Sequence, residues 1–322
     1  MPNPKNYILK QSEVDAMRLI SPNKVLIEIV EKNTERTTAS GLIMVSPTYR
    51  SIARPSGAPV HETDWLLSQN AQRTGVIRQV PKSIKHERNH LWGTTVEVQE
   101  GDSVWFDYMM AENCDIINTE ERLYYIMDYF DLHLVKRGDK VIMLNGYCLF
   151  SPVDVKIDSP LFVDFGKKDA RYGIATHLGS INKYYHGGLV DDPNIQEGYK
   201  CIFKLPPVML EDSYLAAFDG KNQYRISQRH NILAYIDENE RLCATSGHAV
   251  IVPEYNTHIG SIEIPESLRK PSGIGRVHDP GTSDLQWLQT VQYLPGAGIT
   301  IEHHAIKFLL VEERHILVTF NN

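Results

Sequence analysis

Lys24 to Glu31 reads KVLIEIVE, with Val25, Ile27 and Ile29 set against Leu26, Glu28 and Val30. Alternation at period two predicts a strand with one well-buried face. TGVIRQV from Thr74, VQEGDSVWFDY from Val98 and RLYYIMDYFDLHLV from Arg122 follow it. The same order returns as NGYCLFSPV from Asn145, YGIATHLG from Tyr172, IQEGYKCIFKL from Ile195 and YRISQRHNILAYI from Tyr224. Gly75 and Gly101 stand about as far apart as Gly173 and Gly198, as expected of an internal repeat. A third passage runs GHAVIVPEY, SGIGRVHD, LPGAGITIEH and IKFLLVEERHILVTF, with Pro295-Gly296-Ala297-Gly298 in the place of the EG turn.

Short strands broken by Gly and Asp turns predict an all-β chain with a small barrel or sandwich in each unit. The charged runs KRGDK (136–140) and DENER (237–241) read as links between units. The expected organisation is an extension at 1–23 and three barrels at 24–138, 139–239 and 240–322. The first barrel carries an insert at 45–73, where Trp65, Leu66 and Leu67 could form one turn of a docking helix or pack on the parent barrel.

Leu42, Ile43 and Met44 interrupt a Thr-rich polar run, EKNTERTTASGLIMV. Two readings are open. Either the tripeptide sits on a tether, to be buried when a partner's groove accepts it, or it is a strand of the first barrel's sheet. Ile262-Glu263-Ile264 in THIGSIEIPES has the same two readings, since Glu263 could be the outward residue of an alternating strand.

Composition narrows the function. The formal charge of −7, from 40 acidic against 33 basic residues, opposes a phosphate backbone, and nucleic acid is not expected as a partner. The start has no basic end leading into an apolar core, and no apolar run is long enough for a bilayer. A cytoplasmic chain without a membrane partner is expected. Cys114, Cys148, Cys201 and Cys243 lack the close pairing of a zinc or redox motif and read as buried or partly buried thiols.

No metalloprotease helix, nucleophile elbow or phosphate loop is present, so neither catalytic residues nor cofactors are expected. His303-His304 is the densest histidine pair. Neighbours on a strand face opposite ways, so no metal site is expected there. Asp102 and Asp107 read as a turn residue and a strand-end carboxylate, and Trp105, Phe106 and Tyr108 as barrel core and rim.

The first unit resembles the GroES co-chaperonins, the ring-forming caps of GroEL-type folding chambers. The resemblance rests on Ser40-Gly41-Leu42-Ile43-Met44, Gly75-Val76-Ile77, the Val98 to Phe106 turn and strand, and His133-Leu134-Val135. In the third unit Gly260, Ser261, Ile262, Ile264 and Pro265 follow the order of that family's mobile loop. The second unit has Leu161, Phe162 and Val163 at this place, with no preceding glycine. The resemblance implies three tandem GroES-like β-barrels assembled into a ring, a GroEL-type chaperonin as partner, and chaperonin-binding residues Leu42, Ile43, Met44, Ile262 and Ile264. Three copies in one chain depart from the usual single unit, and a large phage is a natural source for such a member. A second reading is a virion or ring-assembly structural protein built from the same barrels.

Overall fold

The computed structural model describes residues 5–29, 35–37, 43–45, 74–85, 95–106, 114–154, 168–181, 192–203, 214–215, 224–265, 268–281 and 283–320. The architecture is all-β, with several sheets and little helix. The chain divides into two compact units, Met1–Tyr147 and Cys148–Asn322. The insert residues 46–73, with Trp65, Leu66 and Leu67, lie outside the described residues, as do Asp107 and Tyr108.

The first unit contains β1 (Asn6–Ile8), α1 (Gln11–Ala16), β2 (Lys24–Ile29), β3 (Glu35–Thr37), β4 (Ile43–Val45), β5 (Thr74–Gln79), β6 (Ser103–Phe106), β7 (Asp115–Asn118), β8 (Leu123–Asp128), β9 (Leu132–Arg137) and β10 (Lys140–Met143). Eight strands form one sheet in the order β1-β7-β8-β2-β5-β6-β9-β10, with β1 parallel to β7.

β2 departs from the expected single buried face. Val25, Ile27 and Ile29 enter the main core with Ile77, Val104, Phe106, Tyr125 and Met127. On the other face Leu26 is covered by Val14 of α1 together with Ile117 and Tyr124. Glu28 is tolerated there because Arg78 and Arg122 donate to its carboxylate at 2.5 and 3.2 Å. The helix holding this cover starts where the Glu13 carboxylate accepts the Lys10 N–H at 2.7 Å.

The second unit holds two sheets. One comprises β11 (Tyr147–Asp154), β12 (Lys168–Leu178), β13 (Lys200–Phe203), β14 (Tyr214–Leu215), β15 (Tyr224–Gln228), β16 (Ile232–Ile236) and β17 (Leu242–Ala244), in the order β14-β15-β11-β12-β13-β16-β17. The other comprises β18 (His248–Tyr255), β21 (Pro271–Asp279), β22 (Thr290–Tyr293), β23 (Ile299–His303), β24 (Ile306–Glu312) and β25 (Ile316–Phe320), in the order β23-β24-β18-β21-β22-β25. Between β18 and β21 stands a separate ribbon of β19 (His258–Ile259) and β20 (Ile262–Glu263).

One strand order therefore serves all three sheets: β7-β8-β2-β5-β6-β9 maps onto β14-β15-β11-β12-β13-β16 and onto β23-β24-β18-β21-β22-β25. Each closing pair turns through one 3₁₀ turn, at Tyr129–Asp131, Arg229–Asn231 and Glu313–His315. Among the described residues none of the three sheets closes on itself.

The repeat extends to irregularities. Pairing of the opening strand with the next one slips between Leu26 and Ile27, between Leu149 and Phe150, and between Val250 and Ile251. Beside each slip lies a glycine whose missing side chain lets two strands approach. A Cβ on Gly75 would collide with Ile27 and the Glu28 carbonyl, one on Gly173 would lie 2.8 Å from Phe150 Cβ, and one on Gly275 would lie 2.5 Å from Ile251 Cγ2.

The turn before the third strand corrects the expected alignment of the third repeat. Gly101 and Gly198 adopt φ 90° and 91°, and their N–H groups donate to Ile77 and Ala175 at 2.8 and 2.7 Å. The equivalent bond in the third sheet comes from Leu288, at φ 61°, to Val277 at 2.8 Å. Pro295-Gly296-Ala297-Gly298 lies one connection later, between β22 and β23. The glycine signature there belongs to a different turn.

The charged runs at 136–140 and 237–241 are hairpin turns within sheets. They join β9 to β10 and β16 to β17. The β16 residues Leu233, Ala234 and Ile236 share a core with Leu242 and Ala244 of β17 and with Val250, Ile301, Phe308 and Leu310 of the last sheet. Two repeats thus bury one common apolar mass, which makes Cys148–Asn322 a single compact unit.

Gly75→Ala and Gly101→Ala separate the two uses of glycine. Open space surrounds a Cβ at Gly101, so only its left-handed backbone resists, at about 1–2 kcal/mol. Gly75→Ala must push a strand aside and is expected to cost about 3 kcal/mol or more. Urea midpoints of the two variants check this, and equal costs would refute the close-approach role.

Candidate partner-binding site

Two ribbons leave their parent sheets at the same point of the strand order, between the opening strand and the glycine-bearing strand. In the first unit β3 and β4 pair as Glu35 with Val45, Arg36 with Met44 and Thr37 with Ile43. Ile43 and Met44 are therefore on a strand, but of a separate two-stranded ribbon and not of the eight-stranded sheet. Leu42 lies outside the described residues, and so do Leu161, Phe162 and Val163 at the equivalent place in the second sheet.

The third sheet's ribbon is described to its tip. β19 and β20 pair His258 with Glu263 and Ile259 with Ile262. Gly260 and Ser261 form the two-residue turn, with Gly260 at φ 62°, a conformation glycine adopts without steric cost. Directly opposed residues on an antiparallel pair share a face. Ile259 and Ile262 form such a pair and are 73% and 72% exposed. Leu268, just beyond the ribbon, is exposed as well.

The base of the ribbon is fixed while its tip is not buried. Ile264 is half-buried, and its N–H donates to Thr257 at 2.8 Å. Arg269 donates from Nε to the Ile264 carbonyl at 3.0 Å and from Nη2 to Glu263 at 3.1 Å. Of the two isoleucines expected from sequence, Ile262 is at the tip and Ile264 at the base. The residue missed is Ile259. Its signal was the IGSI tetrapeptide, a glycine-led two-residue turn flanked by matched apolar residues.

Elsewhere, Asp102 and Phe106 have structural settings. Asp102 is buried and accepts from Arg137 Nε and Nη2, both at 2.8 Å, and from the Gln99 N–H at 2.8 Å. This pins the turn before β6 to β9. Phe106 is core, edge-on to Tyr125 with ring centroids 6.2 Å apart. All four cysteines are free thiols, three buried and Cys243 partly so. Burial pushes the Cys243 thiol up to about 11.

His303 and His304 do not face apart as strand alternation would place them. His303 ends β23, and the two-residue turn His304-Ala305 is left-handed at φ 49° and 62°. Their ring centroids lie 4.0 Å apart, and Glu240 of the β16–β17 turn joins them in a cluster of ligand atoms.

No family model matches the chain, and no curated protein matches it either. No helix among the described residues is long and apolar enough to cross a membrane.

Because the tip isoleucines are exposed among the described residues, Ile259→Asp and Ile262→Asp are expected to change unfolding free energy by less than about 0.5 kcal/mol. Thermal or urea unfolding of each variant checks this. A large loss would place the tip inside a core instead.

Proposed function

We propose that the chain is a divergent co-chaperonin whose three sheets are GroES-like barrels in tandem and whose ribbon tips cap a GroEL-type folding chamber. The observation that carries this reading is the exposed Ile259–Ile262 pair, held out on a ribbon that departs from its sheet where Ile43 and Met44 also depart from theirs. Solvated isoleucines on a braced support are a poor arrangement for a chain's own stability and a good one for insertion into an apolar groove. Burying both contributes about 1.5–3 kcal/mol each. Several such tips in one ring add through avidity, giving capture that is firm yet reversible. The chain itself does no chemistry in this reading; nucleotide hydrolysis belongs to the chamber, in the cytoplasm of the cell or of a phage host.

Ring formation has its own support. In the first two sheets the closing strand is covered by one more strand, β10 on β9 and β17 on β16. Among the described residues nothing covers β25, where Leu317, Val318 and Phe320 are 51%, 46% and 43% exposed. A bare, apolar edge of this kind invites a strand from a second copy. The same edge favours the second reading, a virion or ring-assembly structural protein, because self-assembly needs no chaperonin.

Co-sedimentation with a GroEL-type ring, in ADP and in ATP, tests the proposal. Wild type is expected to bind only with nucleotide, and Ile262→Asp to lose at least about tenfold in affinity, since an unpaired charge in an apolar groove costs several kcal/mol. Ile43→Asp is expected to do the same if both ribbons engage. Wild-type chain that binds no chaperonin from its own source, yet forms closed rings alone, would favour the structural protein.

A further inference from the structure

We propose that Glu240, His303 and His304 form a zinc site linking two hairpin turns of the second compact unit. One ligand atom from each of the three lies within 4.8 Å of the others. Zinc takes nitrogen and oxygen ligands at about 2.0–2.2 Å, so modest side-chain rotation closes this span onto one ion. Two imidazoles and one carboxylate suit Zn²⁺ better than Mg²⁺ or Ca²⁺, which take oxygen ligands. Three protein ligands leave a fourth position for water.

The cluster is already oriented. His303 Nε2 lies 2.7 Å from the Glu240 carbonyl oxygen. A carbonyl only accepts, so this nitrogen carries the proton and the other ring nitrogen keeps its lone pair for a cation. Ligating imidazoles are commonly steered by a backbone carbonyl in this way. The Glu240 turn is itself braced, because Asp237 accepts the N–H groups of Asn239 and Arg241 at 2.8 and 2.9 Å and the Arg241 Nε at 2.9 Å.

The backbone adds an independent observation. Glu240, His304 and Ala305 all have positive φ, at 57°, 49° and 62°. Tight hairpin turns, whether of two residues as at His304-Ala305 or longer as at Glu240, usually give such positions to Asn or Gly, which adopt them at lower cost. Here glutamate and histidine stand at left-handed positions where a better turn former was available, and both contribute to the cluster. A bound ion would offset that strain and tie β16–β17 to β23–β24, beside the core the two sheets share.

The test uses the full chain stripped with a chelator and titrated with ZnCl2 by calorimetry, with thermal unfolding in parallel. One ion per chain and a rising unfolding midpoint are expected. His304→Asn and Glu240→Asn substitute a residue that accepts left-handed backbone, so both variants are expected to fold without metal. Each should lower zinc affinity at least about tenfold and abolish the shift in midpoint. Either variant binding zinc as tightly as wild type, or a wild-type midpoint indifferent to zinc, overturns the proposal.

Discussion

Gly75, Gly173 and Gly275 bring a strand so close to its neighbour that one added carbon would overlap Ile27, Phe150 or Ile251. Close by in each sheet the register slips, with one extra residue, Arg78, Thr176 or His278, on the glycine-bearing strand. The slip matters because side chains alternate along a strand: past a bulge, the residues that had faced one way face the other. The turn at Gly101, Gly198 or Leu288 and the 3₁₀ turn in the closing pair recur after it in every sheet.

Much of this was legible in the sequence because glycine is the residue whose position has the narrowest physical explanation. The opening strands, the glycine-led strands and the EG turns of the first two repeats could be read directly. The third repeat misled because Leu288 occupies a left-handed position without glycine, while an unrelated glycine pair stands nearby in the next turn. Tertiary context enforces the backbone at Leu288, and no local residue preference announces it. The charged runs at 136–140 and 237–241 resemble links for a related reason: a polar hairpin turn and a short linker have the same composition, and only strand pairing separates them.

The candidate sites divide along the same line. Ile43, Met44 and Ile262 were visible as apolar residues out of place in polar surroundings. Ile259 was not, because its role depends on its cross-strand partner. Strand alternation would set His303 and His304 apart, yet the strand ends between them, and the third member of their cluster comes from a turn far away in sequence. Pairwise geometry across hairpins leaves no periodic trace.

The core shared by the last two sheets has a consequence for how such a chain could change over evolutionary time. Val250, Phe308 and Leu310 complete the burial of Leu233 and Ile236, so deleting either repeat would leave the other with an uncovered apolar face. Loss or gain of copies is thereby constrained. The second and third repeats, which share that core, must be inherited together.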